Sequence, residues 1–426
     1  MIRILNAVEL SRADILAREE EQGGVEEAVA AILADVRIRG DEALRYYTKE
    51  FDGVELRTLE LSDFELDQGF CRADPKLVEI LFLAAERIRD FHDRQRTQGF
   101  MVNQEDGVIL GQKVTPLERV GLYIPGGTAA YPSSVLMNVI PAKLAGVKEI
   151  IMVTPPGKNG IPPSILAAAR IAGVDRVFQI GGAQAVAALA FGTQSVPKVD
   201  KITGPGNRYV AEAKKQVFGR VDIDMIAGPS EILVIADGSC NPAVVAADLL
   251  SQAEHDRNAS AVLVTDSPTL AEGVQRELEV QLETLPRREI ARESIDKNGK
   301  IIIVKDIAEA VEISNEIAPE HLELCVDNPF DYLSRIQNAG SVFLGKHTPE
   351  ALGDYFAGPN HTLPTGGTAR FSSPLSVDDF VKKVQYLSYT PKALSKAAQS
   401  VAYFAQQEGL RAHARSVTIR VEEETL

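Results

Sequence analysis

The sequence predicts an α/β fold with two similar Rossmann-like parallel sheets, and three observations carry that expectation. Short apolar runs such as Glu149-Ile-Ile-Met-Val-Thr154 and Glu231-Ile-Leu-Val-Ile-Ala236 recur between stretches with helical spacing. Near-continuous apolar strands of this kind are buried on both faces, as in a parallel sheet. Glycine and proline turns close the runs, at Pro155-Pro-Gly157, Gly181-Gly182 and Gly204-Pro-Gly-Asn207. Helices of about ten residues follow the turns, which is the rhythm of βαβ units.

At 426 residues the chain exceeds one ordinary core, and about two or three domains are expected. Hydrophobic residues are 45% and charged residues 25%, which fits a globular chain and not a disordered one. The net charge of −15 leaves no basic stripe, so a nucleic-acid partner is not expected. Cys71, Cys240 and Cys325 lie far apart without a CxxC pair, which suits a reducing compartment. The first ten residues lead into a charged helix and not an apolar signal core. No run reaches the ~20 apolar residues of a membrane span, so a cytoplasmic protein is expected.

Taken in order, residues 1–107 read as a helical region packing on the second α/β domain. Val25 to Arg37 and Leu77 to Phe91 have helical apolar spacing. Residues 108–228 read as the first Rossmann-like domain. Its strands are Val120–Ile124, Glu149–Thr154, Arg176–Ile180 and Lys198–Ile202, and its helices are Ser133–Ala145, Pro163–Ala172, Gln184–Phe191 and Tyr209–Phe218. Residues 229–369 read as the second, with strands at Glu231–Ala236, Ser260–Thr265, Lys300–Val304 and Ser341–Leu344. Ligands of such sheets bind at the C-terminal ends of the strands, where the glycine turns fall. Residues 370–426 read as a helical extension, with helices around 376–387 and 391–408, too small to fold alone.

The candidate chemistry gathers around Asp248-Leu-Leu-Ser-Gln-Ala-Glu-His-Asp256. This run ends a helix that opens at Asn241-Pro242, a cap followed by a first-turn proline. Its residues 244, 245, 249 and 250 can face a core. Gln252 and His255 lie three apart, on one helical face. They form either a solvated helix end or half of a metal site. Gln252, His255, Asp354 and His413 would make a mixed N/O set, but their spacing carries no signature. Glu320-His321 in Ala318-Pro-Glu-His-Leu322 could share acid and base work if Pro319 sets a turn there. Surface charge at a strand start is the plainer reading. The glycine turns before helices can meet a pyrophosphate, although none is a GxGxxG. A thiol at Cys240 could be activated by the following helix, yet burial is the commoner fate of cysteine.

Eight motifs together resemble the histidinol dehydrogenase family over nearly the whole chain. They are Val120-Gly-Leu-Tyr-Ile-Pro-Gly-Gly127, Ile180-Gly-Gly-Ala-Gln-Ala185, Gly204-Pro-Gly-Asn207, Ile226-Ala-Gly-Pro-Ser-Glu231, Leu250-Ser-Gln-Ala-Glu-His255, Ala318-Pro-Glu-His321, Gly358-Pro-Asn-His-Thr-Leu-Pro-Thr365 and Glu408-Gly-Leu-Arg-Ala-His413. The resemblance implies an aldehyde-dehydrogenase-like pair of domains in a homodimer with sites shared between subunits. It implies one Zn2+ per subunit on Gln252, His255, Asp354 and His413. It implies NAD contacts at Tyr123, Gln184 and Asn207, with Glu320 and His321 as the acid/base pair. Ser230, His321, His361 and Glu408 would line L-histidinol beside the metal ligands. The implied reaction oxidises L-histidinol through L-histidinal to L-histidine, and needs no thiol. A dehydrogenase of another amino alcohol or a sulfonated diol would keep Glu320-His321 and change Glu408 or His361. A zinc-stabilised scaffold without activity would have no need of Glu320-His321.

Overall fold

A computed structural model describes residues 1–9, 11, 15, 24–126 and 130–423. Most of the charged helix expected after the first residues lies outside the described residues, as do Gly127 and Thr128 of the first glycine turn and the end of the charged tail. In chain order the elements begin with β1 (Arg3–Asn6), α1 (Glu26–Arg39), α2 (Asp41–Tyr47), α3 (Asp63–Arg72) and α4 (Pro75–Asp93). Then come β2 (Phe100–Asn103), β3 (Ile109–Pro116), β4 (Arg119–Tyr123), α5 (Pro132–Ala145), β5 (Glu149–Val153), α6 (Pro163–Ala172), β6 (Arg176–Phe178), α7 (Gly182–Phe191), β7 (Lys201–Thr203), α8 (Arg208–Val217) and β8 (Asp222–Ile223). The second half holds β9 (Glu231–Ala236), α9 (Pro242–Ala253), β10 (Ser260–Thr265), α10 (Pro268–Leu282), α11 (Arg288–Asn298), β11 (Lys300–Ile303), α12 (Ile307–Ile317), β12 (His321–Cys325), α13 (Phe330–Leu333), β13 (Ser341–Leu344) and α14 (Glu350–Tyr355). It closes with β14 (Val381–Ser388), α15 (Pro391–Gln407) and α16 (Arg411–Glu423). Among the described residues no helix is long and apolar enough to cross a membrane.

Two compact units result. One comprises Met1–Gln95 and Leu117–Phe380, the other Arg96–Pro116 and Val381–Leu426. The larger unit holds both parallel sheets, ordered β6-β5-β4-β7-β8 and β1-β11-β10-β9-β12-β13 among the described residues. Every strand pair in them is parallel, as the apolar runs predict. The smaller unit is an antiparallel sheet, β14-β3-β2, with α15 and α16.

The sequence reading needs four corrections. Residues 3–6 are not helical; β1 pairs in parallel with Lys300–Ile303. The N-terminal helices pack mainly on the first α/β domain, and reach the second through α4, where Arg87 lies over Phe356. Val29, Ile32, Leu33 and Val36 of α1 share a core with Val186 and Ala190 of α7, and Leu81, Ala84 and Ile88 of α4 share one with Val135 and Leu136 of α5. The helix expected around 376–387 is a single 3-10 turn followed by β14, whose backbone pairs antiparallel with Ile109–Pro116. Val381, Val384 and Tyr386 suit a strand, and long-range pairing overrides a helical spacing that had no tertiary face to bury. Last, His321–Cys325 is a central strand that the reading did not count.

The helix at the centre of the sequence argument forms as expected. The Asn241 side chain accepts from Ala243 N at 3.0 Å, with Pro242 in the first turn. Val245, Leu249 and Leu250 enter the core, whereas Val244 is exposed.

The turn after β7 is fixed by a buried ion pair. Lys214 on α8 bonds Asp224, and both side chains are almost wholly withdrawn from solvent. Lys214 Nζ also donates to Gly204 O at 3.0 Å, while Asp224 Oδ2 accepts from Gly204 N at 2.7 Å. Gly204 has φ +106°, and a Cβ there would lie 2.1 Å from Tyr123 O, so no other residue fits this turn. Removing one partner strands the other charge. Lys214→Met should destabilise the protein by about 3–5 kcal/mol in denaturant unfolding, and Lys214→Met with Asp224→Leu should recover most of that loss.

Candidate active site

A cavity of about 680 Å³ opens within the larger unit. Of the residues singled out in the sequence, Asn207, Ser230, Gln252, His255, Glu320, His321, Asp354 and His361 all line it. One wall is the C-terminal edge of the first sheet, with Gly204 to Tyr209 after β7. The other is the N-terminal edge of the second sheet: Ser230 precedes β9, Glu320 precedes β12 and His321 begins it. The cavity thus lies at the C-terminal strand ends of the first sheet and at the N-terminal strand ends of the second. Opposite edges of the two sheets face the same space.

Glu320 and His321 are held by one residue of the neighbouring strand. Glu320 Oε2 accepts from Glu231 N at 2.9 Å, and His321 Nδ1 lies 3.0 Å from Glu231 O. A carbonyl only accepts, so Nδ1 keeps its proton and Nε2 is the nitrogen at which a proton is gained or lost. Nε2 has no hydrogen-bond partner among the described residues. It lies 3.7 Å from Asp354 Oδ1 and 3.9 Å from Glu350 Oε1. The chain reaches this position by a sharp exit from α12, where Ala318 takes a left-handed φ of 51° before Pro319. That turn lets two consecutive residues face one cavity. Both are buried, at 6% and 3% exposure, so surface charge is not the reading.

Burial sets the charge states here. It pushes the Glu320 carboxyl up to about 7, partly offset by His321. Burial disfavours a charged His321 ring, but Glu320, Asp354 and Glu350 outweigh it and raise the ring above its ordinary value. Burial also opposes the charge of Asp354, yet the nearby rings of His321 and His361 hold its carboxyl below the usual range. His255 is lowered, chiefly by burial, which favours the neutral imidazole. Gln252 is 1% exposed, and its Oε1 has no partner among the described residues. An orphaned amide oxygen, a neutral imidazole and an anionic carboxylate form a donor set suited to a divalent metal. His321, Glu350 and Asp354 also place potential ligand atoms within 4.8 Å of one another.

The remaining candidates lie elsewhere. Tyr123 and Gln184 are buried at the Gly181-Gly182 turn, where Tyr123 Oη accepts from Gly182 N at 3.0 Å and Gln184 Oε1 has no hydrogen-bond partner among the described residues. Glu408 caps the end of α15 and His413 lies in α16, both in the smaller unit. Asn207 caps α8, its side chain accepting from Tyr209 N and Val210 N. Two residues were missed. Ser134 Oγ lies 3.2 Å from His361 Nε2, whose Nδ1 is 2.9 Å from Asp354 O. Its place in the first turn of a helix after a glycine turn was a usable signal. Glu350 had none, since an acid after Pro349 reads as ordinary helix-start charge.

A base on one wall and helix starts on the opposite wall suit removal of a proton and a hydride from one substrate, which is the arrangement of a dehydrogenase. Residues 16–421 match the family described as histidinol dehydrogenase. The histidinol dehydrogenase of Syntrophotalea carbinolica is 58% identical over 412 residues, 96% of each chain. That of Listeria innocua is 57% identical over 396 residues, 93% of each. The crystal structure of histidinol dehydrogenase from Elizabethkingia anophelis superposes with a TM-score of 0.95 at 37% identity, covering 100% of this chain and 99% of that one. The chain belongs to the histidinol dehydrogenase family.

The cysteines take no part in the cavity. Cys240 Sγ donates to Cys325 O at 2.7 Å, and burial pushes its thiol up to about 11. Burial raises Cys325 further, and Cys71 alone is exposed. Ellman's reagent at about pH 8 should titrate one thiol per native chain, with the other two reacting only on unfolding. Rapid reaction of a second thiol in the folded protein would contradict this burial.

Proposed function

We propose that this chain oxidises L-histidinol to L-histidinal and then to L-histidine, the closing steps of histidine biosynthesis. The observation that carries the reading is the fixed tautomer of His321, buried beside Glu320 on the wall facing the glycine turns. Gln252, His255 and Asp354 would hold Zn2+, with His413 supplied by a second copy of the chain. When bound, zinc orients the imidazole and amine of the substrate and offsets charge on its oxygen. NAD would lie against Tyr123, Gln184 and Asn207 and accept one hydride in each half-reaction. Ser230 and His361 would contact the substrate, with Glu408 joining them from the second copy.

The chain's own groups divide the proton traffic. In the first half, His321 Nε2 takes the hydroxyl proton as hydride leaves the same carbon, giving the aldehyde. In the second half, Glu320 takes a proton from the water that adds to the aldehyde, while His321 returns its proton to the aldehyde oxygen, giving the hydrate. His321, free again, then takes a hydroxyl proton of the hydrate as the second hydride departs, giving the acid, which ionises to the carboxylate. A carboxyl near 7 is well placed to accept a proton at neutral pH. The carboxylates around His321 raise its affinity for the proton it receives.

Glu320→Gln should therefore slow aldehyde oxidation by roughly 10²–10⁴-fold and alcohol oxidation far less. His321→Asn should slow both. Single-turnover NADH formation from histidinal and from histidinol separates the two. Equal losses in both halves for Glu320→Gln would make the carboxylate an orienting partner of His321 and remove it from the second step.

Assembly is tested by complementation. His413→Ala and Glu320→Gln proteins, each inactive in the full reaction, are mixed after dissociation and allowed to reassociate. Sites built from two chains regain activity in heterodimers, and heterodimers without activity would refute sharing. In the parent protein a chelator should abolish turnover and added Zn2+ should restore it.

A further inference from the structure

Beside the helices that carry Gln252 and Asp354 lies a polar pair, buried Glu323 and half-buried Asp248, that the reaction above does not use. β12 turns His321, Glu323 and Cys325 to one face, because residues two apart in a strand share a side. Leu322 and Leu324 enter the core on the other. Glu323 is 1% exposed, and its Oε1 accepts from Glu350 N at 2.7 Å. It therefore holds the first N–H of α14. A carboxyl oxygen of Asp248 on α9 lies within 4.8 Å of one on Glu323. One turn along α9, Ser251 Oγ lies 3.0 Å from Glu350 Oε2. Ser251 of α9 and Glu323 of β12 thus both reach the start of α14, and Asp248 lies beside Glu323.

Burying carboxyl groups is costly, and apolar residues of matching volume often replace such a pair without loss of stability. Stability alone does not account for it. The placement does: α9 carries Gln252 and leads to His255, and α14 carries Asp354 in its single short span.

We propose that Glu323, paired with Asp248, is a positioning residue that fixes α14 against α9, and so sets Asp354 at ligand distance from Gln252 and His255. The inference rests on the metal-binding reading of those three residues. Partners behind a metal ligand typically govern affinity by about 10–100-fold.

The test measures Zn2+ affinity of the full-length protein by competition with a chromogenic chelator, with thermal unfolding on the same samples. Asp248→Leu with Glu323→Leu should keep a melting temperature near the parent's and bind zinc about 10–100-fold more weakly. Glu323→Gln keeps the acceptor for Glu350 N–H and a donor for Asp248, and should bind as the parent does. Glu323→Asp retains the carboxyl but shortens its reach, and decides the matter where the double variant does not fold. It should lose about tenfold in affinity. Parent-like affinity in the folded double variant or in Glu323→Asp overturns the inference, as does an equal loss in Glu323→Gln. A parent chain that takes up no zinc overturns the functional reading and this inference together, which separates the two failures.

Discussion

The site depends on the two main-chain hydrogen bonds made by Glu231. Its N–H is held by Glu320 and its C=O faces His321 Nδ1. Both groups belong to the edge of β9, which pairs with β12 along its length and with β10 on its other side. The acid/base pair therefore inherits the rigidity of the middle of a parallel sheet. A loop would have to order itself to do the same, at a cost in conformational entropy. The single unusual backbone angle nearby, at Ala318, is the geometric condition for placing two consecutive side chains on one wall.

Facing sheets divide the labour. The first offers glycine turns and helix starts, where backbone approaches closely and N–H groups point outward. The second offers buried ionisable side chains, whose properties are set by exclusion of water and by one another. Glu320, His321, Asp354 and Glu350 are so close that none can be described alone. A carboxyl beside an imidazole in a dry cavity can hold or release a proton at little cost, which two-step oxidation requires.

Much of this was legible in the sequence, and for physical reasons. Strands buried on both faces are continuous in apolar residues, so Glu149–Val153 and Glu231–Ala236 declared themselves. So did the cap at Asn241. What failed was pairing across long distances. The strand character of Val381–Ser388 exists only because Ile109–Pro116 lies beside it. β12 was hidden for another reason: Glu323 between Leu322 and Leu324 breaks an apolar run, and a polar residue inside a strand reads as its end. That break was itself a sign of a buried polar contact. Of the site, spacing alone gave only the pairs Gln252 with His255 and Glu320 with His321. The other members come from separate elements, and no local period joins them.

The edge strand β1 has a consequence for how the protein is made. Arg3–Asn6 is synthesised long before its partner, which begins at Lys300. At roughly 5–20 residues per second the partner follows about 15–60 s later. Through that interval the first sheet, complete once β8 has emerged, can collapse with α1 and α4 around it, while β1 has no neighbour to bond. The second sheet is thus sealed by an early segment of the chain joining a strand made much later. Until then β1 must be kept from wrong partners, because an unpaired strand can template pairing with another edge.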